Sequence, residues 1–229
     1  MHTLIVRLPR KIILPGIAVL ALSLFFCLHL AFSGDAVTAM APAMLGKTIV
    51  IDPGHGGWDP GMKGVTGSIE AAVNLDISKK LATYCREAGA AVVMTRETDE
   101  ALAKTKAEDM ANRVALSQNA DLFISVHCNS FPGQKGAQVF YEKSNEKGKR
   151  LAEAIQRGIR EELNNTDRTA MAHADSYLLK NITCPAVICE TGFLSHNEEE
   201  ALLLDEDYQW KMAWAIFSGA VEFMTQESD

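Results

Sequence analysis

Short apolar runs alternate with longer amphipathic segments along most of this chain. The short runs have the length of strands and contain many β-branched side chains, so we expect each to form a buried strand. They cover 48–51, 90–95, 122–126, 137–141 and 187–189, and a further short strand is predicted at 177–179.

Between these runs, apolar residues recur every three or four positions, which predicts helices. Gly89 follows the first series, as expected of a glycine that ends a helix. Because strands and helices alternate, we predict an α/β fold with a mostly parallel, twisted sheet flanked by helices. The periodic series are Val73, Ile77, Leu81 and Tyr84; Leu151, Ile155, Ile159 and Leu163; and the segment 208–223.

The first 34 residues follow a different pattern. Arg7, Arg10 and Lys11 precede an apolar run over 12–32, and no acidic residue occurs before Asp35. About 20 apolar residues can span a bilayer as a helix, whereas a cleavable signal has a shorter apolar region of roughly 7–15 residues. We therefore predict one N-terminal apolar helix within 1–34. It is either a signal anchor or a signal peptide cleaved near residue 33.

This prediction divides the chain into three parts. Residues 1–34 are the signal segment, 35–46 are a linker rich in alanine, and 47–229 are one globular domain. The basic residues of the signal segment are expected to stay in the cytoplasm. The domain is therefore expected outside the cytoplasm, either anchored to the membrane or secreted.

Composition agrees with one exported domain. The 229 residues are 48% hydrophobic, which is enough for a proper core, and the net charge of -7 argues against a nucleic-acid partner. Export permits disulfides, but the cysteines follow no CxxC spacing, so we expect free thiols. The five are Cys27, Cys85, Cys128, Cys184 and Cys189.

Three of the predicted strands end on residues that can do chemistry. His55 follows the first strand in a glycine-rich turn, His127 ends the strand over 122–126, and Glu190 ends the strand over 187–189. Ligands of open α/β sheets collect at the carboxyl ends of strands, so these side chains should converge. Either histidine alone has an ordinary structural explanation, and it is the pair that favours a metal.

Two imidazoles and a carboxylate around an open position are the usual ligands of a catalytic zinc ion. The carboxylate is either Glu190 or Glu70, which lies near a helix start after the glycine-rich loop over 61–67. On spacing alone, Glu70 is more simply explained as an exposed acid that stabilises the helix start. Cys128 is a rival ligand, but neighbours in a strand point to opposite faces, so it should face away if His127 faces the site.

Three other polar residues near these motifs are not expected to take part in chemistry. Asp52 is expected to orient the loop that carries His55, while His173 and His196 are expected to be surface groups. The sequence contains no G-x-S-x-G motif, which argues against a serine nucleophile.

Five segments together carry a family resemblance: IDPGHGGWDPG, the acid of GSIEAAVNL, TRETD, ADLFISVHCNS and PAVICETGFLSH. In this order and spacing they resemble the zinc-dependent N-acetylmuramoyl-L-alanine amidases of the Amidase_3 type, over 47–223. The resemblance implies that His55, Glu70 and His127 bind Zn²⁺ and that Glu190 is the catalytic acid/base. It thereby reverses the preference that spacing alone gave for Glu70.

The implied reaction is hydrolysis of the amide bond between N-acetylmuramic acid and L-alanine in peptidoglycan. One departure is His196, which stands where the family commonly has asparagine. A zinc peptidase acting on stem peptides and a wall-binding protein without catalysis remain alternatives. Whether a second protein activates the enzyme is open.

Within the family, a short chain with one N-terminal apolar segment is most similar to the germination-specific amidases of endospore formers. The 62 residues between His127 and Glu190 leave no room for the inhibitory helix of some members. The resemblance implies a role in maturation of the spore cortex through formation of muramic lactam. Arg168 and Lys180 are candidates for contacts with substrate carboxylates, although solvated surface charge is the simpler explanation of each.

Overall fold

The computed structural model describes residues 22–23 and 43–228. All but two residues of the predicted apolar helix within 1–34, and most of the linker over 35–46, lie outside the described residues and stay predictions. Among the residues that are described, no helix is both long enough and apolar enough to cross a bilayer. The chain from Ala43 onward forms one compact unit.

Six strands and six helices follow one another in this described part. The strands are β1 (Thr48–Pro53), β2 (Ala91–Met94), β3 (Leu122–Asn129), β4 (Gln138–Tyr141), β5 (Met171–Ala172) and β6 (Ala186–Phe193). The helices are α1 (Glu70–Glu87), α2 (Lys106–Leu116), α3 (Glu146–Leu163), α4 (Tyr177–Asn181), α5 (Asn197–Leu203) and α6 (Glu206–Gln226).

The strands form one sheet in the order β2-β1-β3-β6-β4-β5. The first four of these run parallel, β4 runs antiparallel to β6, and β5 runs parallel to β4. The α/β fold with a mostly parallel sheet is confirmed, in a mixed form. The segment 130–137 between β3 and β4 contains no helix and is too short for a crossover. The chain therefore turns back along the same edge, and β4 becomes antiparallel.

Two details of secondary structure differ from the sequence prediction. The predicted strand at 177–179 is wrong, because this segment begins α4, where Ser176 Oγ caps the first turn by accepting from the Leu179 N–H. The apolar pattern does not predict α2. Its inner face carries a buried ion pair, Asp109 and Arg113, in place of a complete apolar stripe.

Helices cover both faces of the sheet. Val50 and Phe123 belong to an apolar cluster on the face that packs against residues of α2 and α4. Their neighbours Ile49 and Ile124 are also fully buried and point to the other face, since side chains alternate along a strand. On that face α1 and α3 contact the sheet, and α6 packs against both helices.

The prediction of free cysteines is confirmed for the four that the structure describes. Cys85, Cys128 and Cys189 are buried and Cys184 is half-buried, and none of these four is in a disulfide. Cys27 lies outside the described residues.

Candidate metal centre

The fold brings His55, Glu70 and His127 together at the carboxyl edge of β1 and β3. One carboxylate oxygen of Glu70, Oε1, lies 3.2 Å from His55 Nε2 and 3.1 Å from His127 Nδ1. The two imidazole rings meet edge to face, with centroids 4.9 Å apart. These three residues form a group that could hold a metal ion.

The spacing of these donor atoms suits a zinc ion. In a tetrahedral site with bonds of about 2.0–2.1 Å, neighbouring ligand atoms are about 3.3 Å apart. The two measured separations of 3.1 and 3.2 Å are close to that length, and all three ligand atoms lie within 4.8 Å of one another. Two imidazoles and a carboxylate are also a donor set that zinc accepts.

Glu70 is buried, with only 2% of its surface exposed, so the explanation as an exposed acid at a helix start is wrong. The loop over 61–69 folds back so that the first turn of α1 covers the end of β1. Within it, the Met62 N–H donates to Glu70 Oε2 at 2.8 Å. Burial by itself would raise the pKa of Glu70, but its hydrogen bonds to His127 and His55 lower that pKa well below the usual range. The side chain is therefore a carboxylate.

Two glycines make room for the three side chains. A Cβ on Gly54 would lie 2.2 Å from the His127 ring. A Cβ on Gly61 would lie 2.6 Å from Glu70 Oε2 and 2.8 Å from the His55 ring, and the φ of Gly61 is +68°. Any side chain at these positions would occupy the space of a donor group, so the glycines are required by close approach.

Asp59 holds the outer edge of the His55 ring. Its Oδ1 lies 3.0 Å from His55 Nδ1, and its Oδ2 pairs with Lys106 at the start of α2. Partial burial opposes ionisation, but Lys106 and His55 lower the pKa of Asp59 to about 2. A carboxylate on one nitrogen of a histidine leaves the other nitrogen free to bind a metal. Asp59 was not among the site residues predicted from the sequence, although its H-x-x-x-D spacing from His55 was a usable signal.

Asp52 orients the loop, as expected from the sequence. It is fully buried and accepts hydrogen bonds from Thr95 Oγ1, Ser125 Oγ and Arg113 Nη1 at 2.6–2.7 Å. Arg113 in turn donates from Nη2 to the backbone carbonyl of His55 at 2.7 Å. The buried ion pair of Asp52 and Arg113 therefore fixes the loop that carries His55.

Arg96, which the motif TRETD contains, ties the two metal-site segments together. Its Nη2 donates to the carbonyl of Gly54 at 2.9 Å and to that of Ala71 at 2.7 Å. Gly54 precedes His55 and Ala71 follows Glu70, so one guanidinium fixes the backbone beside two of the three candidate ligands.

Glu190 stands next to this group on β6, in register with His127 on β3. Its side chain is half-buried, and among the described residues no hydrogen-bond partner reaches its buried Oε2. Burial, together with the negative charge of Glu70, raises the pKa of Glu190 to about 7 against the opposing effects of His127 and His55. The arrangement places a carboxyl group able to gain and lose a proton near neutral pH beside the candidate metal centre.

The other candidates lie outside the group. Cys128 is buried with its Sγ 3.3 Å from Thr191 Oγ1, on the face opposite to His127, so it does not compete as a ligand. His196 is the half-buried residue before α5, and His173 packs its ring edge against Phe140. These two histidines are not the surface groups that the sequence predicted, since both are half-buried.

Two histidines at the ends of parallel strands, a glutamate in the first turn of α1 and a further carboxylate on β6 form a site that is typical of metal-dependent hydrolases. The sequence profile of the N-acetylmuramoyl-L-alanine amidases of the Amidase_3 family matches residues 49–222. The chain belongs to this family. It is therefore an amidase that acts on the bond between N-acetylmuramic acid and L-alanine in peptidoglycan.

Individual relatives agree in sequence and in structure. The germination-specific N-acetylmuramoyl-L-alanine amidase of Bacillus subtilis (strain 168) is 38% identical over 219 residues, which are 90% of this chain and 92% of the relative. The amidase LytC of the same organism is 34% identical over 84% of this chain and 38% of its own length. The solved structure of the CwlD amidase from Clostridioides difficile, in complex with the GerS lipoprotein, is 36% identical with a TM-score of 0.74. It matches 79% of this chain and 100% of CwlD.

Proposed function

We propose that His55, Glu70 and His127 hold Zn²⁺ and that Glu190 is the catalytic acid/base of the amidase. The observation that carries this proposal is the pair of short separations, 3.1 and 3.2 Å, by which both histidines face one oxygen of Glu70. The glycines that a Cβ would push into this group support the same assignment.

A zinc ion in such a site polarises a carbonyl oxygen and activates water for attack at neutral pH. The side chains of the protein then orient the metal ligands and transfer the proton. Asp59 Oδ1 lies 3.0 Å from His55 Nδ1, and the other ring nitrogen, Nε2, faces Glu70. Glu190 accepts the proton of the attacking water and returns it to the amine of L-alanine as the amide bond breaks.

Digestion of peptidoglycan by the purified chain, with and without a chelator, tests this proposal. We expect chelator-sensitive release of peptides that begin with a free L-alanine amine, identified by mass spectrometry. Release of shorter peptides would make the protein a zinc peptidase and would contradict the proposed mechanism. Binding to the wall without any release would point to a missing activating partner or to a non-catalytic wall protein.

We further propose that the enzyme acts in maturation of the spore cortex, where loss of the peptide allows muramic lactam to form. The supporting observation is the similarity over 90% of the chain to an amidase described as germination-specific. Muropeptide analysis of spores that lack this protein is the test: absence of muramic lactam is expected, and a normal content would contradict the role.

The sequence of the N-terminus supports a proposal about location, and one of the comparisons supports a proposal about a partner. We propose that residues 1–34 direct the domain across the membrane, so that it works on the cell-wall side, anchored or released. Because the similar CwlD amidase was solved in complex with a lipoprotein, we also propose a protein partner that activates this enzyme. Fractionation of cells tests the location. Activity of the purified chain at full rate without any added protein would contradict the need for a partner.

A further inference from the structure

The carboxyl edge of the sheet continues beyond Glu190 to a polar cleft. β4 runs antiparallel to β6, and its first residue, Gln138, lies opposite Glu190 in register. Directly opposite residues of an antiparallel pair place their side chains on the same face of the sheet. His127, Glu190 and Gln138 therefore form a row across β3, β6 and β4.

Arg168 is held at the end of this row. Its Nη1 donates to Gln138 Oε1 at 3.0 Å, its Nη2 to Gln134 Oε1 at 2.7 Å and its Nε to the carbonyl of Lys135 at 2.9 Å. The guanidinium carbon also lies 5.1 Å from the centre of the Phe193 ring. A long and flexible side chain is thereby held in one orientation, which reduces the entropy lost when a ligand binds to it.

The three hydrogen-bond acceptors of Arg168 are all uncharged. Of the ion pairs found among the described residues, none includes Arg168, although the exposed Asp167 lines the same cleft. An arginine has five N–H donors, so two remain for a ligand. Lys180 differs, because Asp175 lies 2.5 Å from its ammonium group and neutralises it. Of the two basic residues considered as substrate contacts, Arg168 alone keeps an unpaired charge.

We propose that Arg168 binds a carboxylate of the stem peptide and so sets the preference of the amidase for peptides with a free acid at that position. The inference rests on the amidase activity and on the placement of Glu190 beside the scissile bond. A half-buried guanidinium with free donors recognises a carboxylate through charge-assisted hydrogen bonds. Because the net charge of the enzyme is negative, a positive guanidinium at the edge of the site should favour binding of an anionic substrate.

Distance limits which carboxylate can reach Arg168. Strands are about 4.8 Å apart, so Gln138 lies about one spacing from Glu190, and the guanidinium lies one hydrogen bond farther. An extended peptide spans at most about 3.6 Å per residue. The carboxylate therefore belongs to the second or the third residue of the stem peptide, counting L-alanine as the first.

Competition between matched substrates tests the subsite. Soluble glycan–peptide chains are prepared with a free or an amidated carboxylate on the second residue. A second pair carries meso-diaminopimelate or L-lysine as the third residue. Each pair is digested together by the metal-loaded full chain, and mass spectrometry gives the ratio of the two kcat/KM values. At one of the two positions we expect the free acid to be preferred about tenfold or more, the value of a hydrogen bond to a charged group.

Arg168→Gln should remove this preference by slowing cleavage of the acid substrate alone, and Arg168→Lys should keep part of it. Lys180→Gln is the matched control and should leave the ratio unchanged. Equal losses on both substrates, or no preference in the unmodified enzyme at either position, would overturn the proposal. Thermal melting checks that each variant folds, and Arg168→Lys, which keeps the charge, remains interpretable if Arg168→Gln does not fold.

Failure of the amidase mechanism is distinguished by a binding measurement. If the unmodified enzyme cleaves neither substrate, either the mechanism built on Glu190 fails or the activating partner proposed above is missing. The zinc-loaded Glu190→Gln variant still reports on Arg168 through its relative affinity for the acid and amidated chains. A preference for the acid that Arg168→Gln abolishes supports the subsite, and equal affinity for both chains contradicts it.

Discussion

Asp59 Oδ1 lies 3.0 Å from Nδ1 of His55, on the edge of the ring opposite to the Nε2 that faces Glu70. A carboxylate beside one ring nitrogen helps to orient the imidazole so that the other nitrogen can bind a metal. The relationship is local, since the two residues are four apart in one loop, yet it depends on Lys106 of α2 to hold the second oxygen of Asp59.

We expect Asp59→Asn to weaken zinc binding by about 10–100-fold, the usual effect of losing a carboxylate behind a histidine ligand. Competition with a chromophoric chelator measures the affinity. Asp99→Asn is the matched control, because Asp99 is exposed and accepts from the Gly57 N–H of the same loop without touching His55. Equal zinc affinity in the Asp59 variant and the control would show that the contact does not orient the ligand.

Glu190→Gln should keep the metal and lose activity. The amide has nearly the same shape as the carboxyl group but cannot accept the proton of water, so kcat should fall by about 10²–10⁴-fold. Zinc content per chain, measured by elemental analysis, should not change. His127→Ala is the contrasting variant and should lose zinc. A fully active Glu190 variant would remove its role as acid/base.

Gly61→Ala should disrupt the centre far more than its backbone conformation alone would explain. Gly61 and Gly133 have similar φ angles of +68° and +76°, but an added Cβ meets Glu70 and His55 at Gly61 and nothing within 4 Å at Gly133. Gly133→Ala should therefore cost only the left-handed conformation, about 1–2 kcal/mol. Gly61→Ala should in addition lower zinc affinity. Melting temperature and zinc titration of both variants separate the two effects.

We expect the metal-free protein to lose stability at acid pH because of Asp52. Burial alone would raise the pKa of Asp52, but Arg113 and the hydroxyls of Thr95 and Ser125 lower it below the usual value. Because the folded pKa is below the unfolded value of about 3.9, this stabilisation is complete above about pH 4 and is lost as the pH falls through the folded pKa.

The free energy of unfolding of the Asp52→Asn variant at neutral pH should therefore be lower by about 3–5 kcal/mol, because the substitution leaves Arg113 without its buried partner. Its stability should also fall less steeply below about pH 4 than that of the unmodified protein. Urea unfolding at a series of pH values, in the presence of a chelator, measures both effects. The exposed Asp76→Asn variant should match the unmodified protein, and an identical pH dependence for Asp52→Asn would contradict the assignment.

Much of the fold follows from local patterns. The strands over 48–53 and 122–129 and the helices over 70–87 and 206–226 have apolar periodicity that survives without tertiary context. Helix α2 has no such signal, because its buried positions hold the charged residues Asp109 and Arg113. Arg113 forms ion pairs with Asp109 of the same helix and with Asp52 of β1. The antiparallel direction of β4 likewise depends on a connection too short for a crossover.

By itself the sequence determined that two histidines and Glu190 emerge at strand ends, since parallel strands of an α/β sheet share one carboxyl edge. It also carried the family resemblance that the comparisons confirmed. Only the tertiary structure decided that Glu70 is a buried partner of both histidines, because that depends on the path of the loop over 61–69. The same holds for the unpaired charge of Arg168, whereas the contact of Asp59 with His55 had a local signal in the H-x-x-x-D spacing. The position of Glu70 and the surroundings of Arg168 depend on packing between distant segments, which no spacing along the chain specifies.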